Sequence, residues 1–367
     1  MKRVLTTTDT VGGVWTFTLD LAEALGRYGI EIVLASMGGL PTMDQREEAA
    51  RIPNLQLLES DFKLEWMDAP WSDVAAAGAW LLNLEQSVAP DLVHLNSYGH
   101  GALPWSSPVL LTGHSCVLSW WAAVKREPLP LCWGRYAVTV ARALQSVNIV
   151  TAPSCAMLAQ LEKNYGALPH ARVILNGRNP SRFRRGPKEA LIFGAGRLWD
   201  EAKNVGALAR IASSLEWPVC LAGDAGGLDF PGCRTLGKLS ARSMAEWYAR
   251  ATIYALPARY EPFGLTVLEA ALSGCALVLG DIPSLREVWR DAALYVSPDD
   301  EPALKHALQA LIRDAPQRAA LAELACERAQ ELTAERMANE YLALYREALR
   351  NRGLRDKARR EAKVLCA

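Results

Sequence analysis

The chain has 367 residues, 50% of them hydrophobic, which is longer than one core usually grows, so two domains of ordinary size are expected. Forty Lys and Arg balance forty Asp and Glu, and this neutrality removes the electrostatic argument for nucleic acid as a main partner and favours a small or neutral ligand. The eight cysteines contain no C-x-x-C pair and lie mostly among apolar neighbours, so buried reduced thiols are expected rather than disulfides or a zinc site.

"KRVLTT" at 2–7 reads as a first buried strand and lacks the apolar core and small-residue cleavage site of a secretory signal, so a cytoplasmic protein is expected. A helical pattern follows in "TFTLDLAEALGRYG". Next come the strand-like runs "IEIVLASM", "DLVHLN", "PVLLTGHS" and "SVNIVTAPS", the helical "CAMLAQLEKNYG" and the strand-like "ARVILNG". Strand, helix, strand in repetition predicts a parallel sheet with helices on both faces. The longest apolar stretch, around His114, is shorter than the roughly 20 residues that span a bilayer.

The rhythm breaks at 176–189, "NGRNPSRFRRGPKE", whose arginines, prolines and glycines read as a linker. It restarts with "ALIFGAGRL", "PVCLAGDA", "TIYALPA" and "CALVLGD", which predicts a second doubly wound unit. The expected division is a first domain at 1–180, a second at 188–345 and a basic tail at 346–367. From 302 onward nearly all residues are helix formers. The tail is a solvated end or, with Trp120 and Trp121, a weak contact to an anionic membrane at its inner face.

In such sheets ligands bind beyond the carboxyl ends of the strands, often at helix N-termini. Three stretches fall there. After the first strand, Gly12 and Gly13 let the backbone approach a ligand, or serve only as a turn. The spacing is not G-x-G-x-x-G, so no dinucleotide site is indicated. In "FGAGRLWDEAKN", Arg197 and Lys203 suit a diphosphate, or form surface ion pairs. In "ARYEPFGLTVLEAALSG", a helix beginning after Gly264 would offer the N–H groups of Leu265 and Thr266 to a phosphate. Glu269, one turn in, suits the vicinal hydroxyls of a ribose, and Glu261, ahead of the helix, another hydroxylated group. Each glutamate taken alone also reads as a solvated surface residue.

Taken together, "EPFGLTVLEA" resembles the glutamate-seven-residues-glutamate motif of the family-four retaining glycosyltransferases. "VGGV", "TAPSCAMLAQLEKNYG", "VILNGRNPSRF" and "GRLWDEAKN" stand in the order of that family, so the resemblance covers nearly the whole chain. It implies the GT-B architecture: two Rossmann-like domains facing a cleft, with a C-terminal helix crossing back to the first. It further implies that Glu269 binds the nucleotide ribose. Arg197 and Lys203 would hold the diphosphate with the Leu265 and Thr266 amides and Gly13. Glu261 would bind the donor sugar, in a loop shaped by Phe263 and Gly264, and His114 would lie near the transferred sugar. Arg197 and Lys203 stand one residue further apart than is commonest in the family.

The implied activity is retaining transfer of a hexose from a nucleoside diphosphate sugar, uridine diphosphate glucose by default, to a hydroxyl acceptor. That acceptor is a small molecule, a glycan or a lipid-linked group, with "NSYGHGALPW" and "SWWAAVKREPLPLCW" in the first domain offering aromatic faces. No D-x-D occurs in the chain, so no metal or other cofactor is expected. The competing functions are another GT-B enzyme, such as a sugar-nucleotide epimerase or a phosphorylase, and a non-catalytic carbohydrate-binding scaffold.

Overall fold

The computed structural model describes residues 1–365, with side chains described through Asn351. Apolar runs that are buried on both faces become the inner strands of two parallel sheets. The first sheet holds β1 (Arg3–Asp9), β2 (Glu31–Met37), β3 (Leu55–Glu59), β4 (Leu92–Leu95), β5 (Val109–Thr112), β6 (Ile149–Ala152) and β7 (Ala171–Val173). Its order is β3-β2-β1-β4-β5-β6-β7, every neighbour parallel, with Val4 in register with Ile32 on one side and Leu92 on the other.

The second sheet holds β8 (Glu189–Ala195), β9 (Val219–Ala222), β10 (Cys233–Thr235), β11 (Ala251–Leu256), β12 (Ala276–Gly280) and β13 (Leu294–Val296), ordered β10-β9-β8-β11-β12-β13. It too is parallel throughout. In both sheets the winding reverses beside the first strand, between β1 and β4 and between β8 and β11. These reversals open the crevices in which such sheets bind ligands.

Each sheet carries an apolar layer on both faces. The expectation of two doubly wound units in a GT-B arrangement is met, including the returning C-terminal helix. That helix, Ala334–Leu365, places Met337, Tyr341 and Tyr345 in the core of the first unit. The Tyr345 hydroxyl is 2.7 Å from Nδ1 of buried His94, and Tyr341 reaches Thr112 at 3.2 Å. Where the sequence carried the second domain to 345 and began a tail at 346, both limits fall inside this one helix. Its apolar stripe is buried on the first sheet, so the chain returns at Ala334. Most of the basic tail, from residue 352, lies outside the residues with described side chains, as does the membrane contact expected of it. Among the described residues no helix is long and apolar enough to cross a membrane.

The described cysteines are all free. Cys116, Cys220, Cys275 and Cys326 are buried as expected, whereas Cys132 and Cys155 are exposed.

Candidate active site

The residues singled out from the sequence converge on the two switch points. β1 ends at Asp9, whose Oδ1 accepts the N–H groups of Val11 and Gly12, both at 2.9 Å, and so folds the loop back over the sheet edge. Helix Gly13–Gly26 starts there with no side-chain cap, so the N–H groups of Gly13 and Val14 have no partner within the helix. A Cβ on Gly12 would lie 3.1 Å from Nη1 of Arg197, and one on Gly13 would lie 3.4 Å from Cδ1 of Leu265. The two glycines thus let the first domain's loop approach the second domain's cations and helix start.

Across the cleft, β8 leads to Gly196 at φ +151° and then Arg197. Gly223, at φ +138°, passes so close that a Cβ would lie 1.7 Å from the Gly196 carbonyl oxygen, so this turn requires glycine. Between Arg197 and Lys203 the chain forms a 3₁₀ turn at Glu201–Lys203, which ends at Asn204 in the left-handed region at φ +53°. Lys203 reaches the cleft, where its ammonium pairs with the carboxylate of Glu261, both side chains being largely buried. Arg197 Nη2 donates to Asp200 Oδ2 at 2.8 Å and remains 38% exposed, leaving guanidinium N–H groups open to the cleft.

Helix Leu265–Leu272 begins after Gly264, at φ +91°, with no side-chain cap, so the N–H groups of Leu265 and Thr266 have no partner within the helix. The Tyr254 hydroxyl donates to the Thr266 hydroxyl at 2.8 Å and fixes that side chain. Phe263, a candidate donor-site residue, is 2% exposed in the second domain's core. Its ring fills the core instead of facing a ligand and anchors the loop between Glu261 and Gly264.

Glu269 does not lie free. It is buried, with Oε1 3.1 Å from Nε of Arg178, and burial raises its carboxyl pKa while the guanidinium opposes the rise. Arg178, read from the sequence as linker, is thus part of the site, and so is its other partner Asp20. Neither polar residue stands out in the sequence, since one lies in a helical pattern and the other among solvent-type arginines.

His114 follows β5. Its Nε2 is 2.8 Å from Oδ1 of Asn96, and its ring meets Phe17 edge-on at 4.5 Å. Asn96 donates its own NH₂ to the Thr7 carbonyl at 2.7 Å, which turns Oδ1 toward the histidine. Nε2 therefore carries the proton and Nδ1 is the free acceptor. Burial lowers the His114 pKa to about 3, so the ring is neutral at physiological pH.

The cleft is bridged by contacts the sequence did not show. Trp120 Nε1 donates to Asp200 Oδ1 at 2.9 Å, and Tyr260 of the second domain lies 3.1 Å from Oγ of Ser115 in the first. Ser154 Oγ donates to the Pro262 carbonyl at 2.7 Å. The carboxylate of Glu287 accepts the N–H groups of Cys155 and Ala156 at 2.7 and 2.9 Å, capping helix Cys155–Tyr165 from the opposite domain.

These bridges bear on the expected acceptor and membrane residues. Trp120 donates its indole N–H across the domains and the Trp121 indole nitrogen is buried, while both side chains remain partly exposed. Tyr98 is buried with its hydroxyl donating to the Ser115 carbonyl at 2.9 Å, which makes it a packing residue and not an open face for an acceptor. Among the described residues no three His, Cys, Asp or Glu side chains gather as a metal site.

The arrangement pairs two carboxylates with two buried cations beside unpaired amides, a set suited to a hydroxylated diphosphate ester. Comparison with known proteins agrees with this chemistry. Residues 11–182 match the profile of Glycosyltransferase Family 4, and residues 189–314 that of Glycosyl transferases group 1. The O-antigen chain mannosyltransferase B of Escherichia coli is 39% identical over 82 residues, 22% of either chain, so the match spans about a fifth of that relative. The glycogen synthase of Mycobacterium tuberculosis is 26% identical over 355 residues, 83% of each.

Among solved structures, sucrose-phosphate synthase from Thermosynechococcus elongatus superposes with a TM-score of 0.80 at 17% identity, covering 95% of this chain and 99% of that one. Anabaena HepE, crystallised with UDP and glucose, gives 0.74 at 15%, covering 95% and 100%. At these identities the structural likeness speaks for the GT-B fold alone. The two family profiles, lying side by side over both domains, decide the family: the chain belongs to the glycosyltransferases of group 1 and family 4.

Proposed function

We propose that the protein transfers a hexose from a nucleoside diphosphate sugar to a hydroxyl acceptor, with retention of anomeric configuration and without a metal. The carrying observation is the layout around helix Leu265–Leu272. Glu261 and Glu269 flank its two unpaired amides, with Lys203 on Glu261 and Arg197 across the Gly12–Gly13 loop. The diphosphate sits against these amides and cations, the ribose on Glu269 and the sugar on Glu261. Uridine diphosphate glucose is the proposed donor, a choice supported by the UDP and glucose bound to HepE.

As the bond from the anomeric carbon to the diphosphate oxygen breaks, positive charge grows on that carbon and negative charge on the leaving group. Arg197, Lys203 and the amides stabilise the latter most strongly in the transition state. The acceptor oxygen bonds to the same face of the anomeric carbon, and its proton passes to the departing phosphate oxygen. Glu261 orients the sugar and favours the developing cation. Neutral His114 accepts a sugar hydroxyl at Nδ1, with its ring held by Asn96.

Incubating the protein with a panel of UDP, GDP and ADP sugars and measuring release of the nucleoside diphosphate tests the reading. Release from UDP-glucose above the other donors is expected. Release from none, with no thermal stabilisation by any nucleoside diphosphate, contradicts it.

A further inference from the structure

Beside the diphosphate seat lies a buried ionic cluster that joins both domains to the hinge. Arg178 is its centre. The Arg178 N–H donates to the Leu332 carbonyl at 3.1 Å and its carbonyl accepts from Ala334 N–H at 2.9 Å, so the two chain crossings between domains are stitched together at this residue. Gly177 makes the contact possible, since a Cβ there would lie 2.1 Å from the Thr333 carbonyl oxygen.

The Arg178 side chain is 7% exposed and its guanidinium lies over Phe183 at 5.2 Å. Nη1 pairs with Asp20, fully buried on the first domain's helix Gly13–Gly26, and Nε faces Oε1 of Glu269 on the second domain's helix at 3.1 Å. The Asp20 pair is a hydrogen bond. The Glu269 contact is a charge contact off the hydrogen-bond line, so the buried Nε–H has no hydrogen-bond partner. Burial disfavours the charged form of the Glu269 carboxyl, and the Arg178 guanidinium beside it, with Tyr248, works against that cost.

We infer that Arg178 is a positioning residue: anchored on Asp20 and on the hinge, it holds the Glu269 carboxylate in place to accept the donor's ribose hydroxyls. The inference rests on the reading of Glu269 as the ribose ligand. Because the anchor and the glutamate belong to different domains, ribose recognition depends on the domains standing as they do here. Arg178 itself pairs with Asp20 and Glu269 and not with the cations and amides of the phosphate seat.

The test measures binding of whichever of UDP, GDP and ADP the wild type holds most tightly, alongside its 2′-deoxy analogue and inorganic pyrophosphate. The variants are Arg178→Lys, which keeps a buried cation, and Arg178→Met with Asp20→Asn, which removes the buried pair together and leaves Arg182, 3.4 Å from Asp20 in the wild type, facing a neutral side chain. Wild type is expected to prefer the ribonucleotide by about tenfold or more, the worth of one hydrogen bond to a charged group. In the double variant the preference should fall below about threefold, in Arg178→Lys it should fall less because a cation remains beside Glu269, and in both pyrophosphate affinity should stay within about twofold.

With the natural donor, KM should rise more than kcat falls. A variant that loses thermal stability but keeps the full ribose preference overturns the positioning role and leaves Glu269 as the ribose ligand. A wild type indifferent to the 2′-hydroxyl, or binding none of the three nucleotides, overturns the Glu269 reading and this inference with it.

Discussion

Glu287 offers the sharpest test of how the cleft is held. Its two carboxylate oxygens each accept one backbone N–H, from Cys155 and Ala156, at the start of a helix in the opposite domain. Glu287→Gln keeps the shape but retains one acceptor and turns an NH₂ toward a backbone N–H. The loss is one charge-assisted hydrogen bond, about 1.5–3 kcal/mol, and a favourable charge at a helix N-terminus, about 0.3–1 kcal/mol. Glu287 is partly exposed, so screening favours the lower end of the combined range, about 2 kcal/mol.

At ~1.4 kcal/mol per factor of ten, that shifts the closed-to-open equilibrium about 30-fold toward open. Small-angle scattering of the ligand-free variant should show a larger radius of gyration, with unchanged circular dichroism, and kcat/KM should fall by up to about the same 30-fold. Unchanged scattering together with unchanged kcat/KM would refute the clamp.

Two further outcomes are expected. Burial lowers His100 to a pKa of about 4, below its unfolded value, so its contribution is complete above about pH 6.5 and is lost as pH falls toward 4. Wild type should therefore lose about 3 kcal/mol relative to His100→Gln between pH 7 and 4 in urea titrations, a comparison that cancels the opposite trend of buried Glu65 and Glu269; parallel curves would contradict the assignment. Sugar transfer should survive excess chelator, and abolition by chelator with rescue by magnesium or manganese would replace the proposed role of Arg197 and Lys203.

The fold was legible wherever strands are buried on both faces. Runs such as "CALVLGD" are continuous apolar segments because β12 lies inside the sheet with all five residues buried. β3, β10 and β13 escaped because they are edge strands of three to five residues with mixed exposure, and carry no strong apolar period. The motif residues were legible because their spacing survives in one dimension: Glu261, Gly264 and Glu269 keep loop and helix geometry that local sequence dictates.

Their partners were not. Asp20 lies 158 residues from Arg178, and Trp120 lies 80 from Asp200, distances over which composition carries no signal. The stretch 176–189 shows the cost of reading composition alone. Its arginines and lysine look solvated, yet Arg178 is buried and Lys188 donates to the carbonyls of Ala251 and Ser273 at 2.7 and 2.8 Å.

The central claim is that Glu261 serves the donor sugar while Arg197 serves the diphosphate. It is tested most directly by titrating free nucleoside diphosphate and intact donor against Glu261→Gln and Arg197→Ala, with turnover measured alongside. The account predicts that Glu261→Gln lowers kcat by about 10²-fold or more and leaves the free diphosphate's affinity nearly unchanged, whereas Arg197→Ala weakens both ligands. A Glu261→Gln protein that loses the free diphosphate while turning over normally would contradict it.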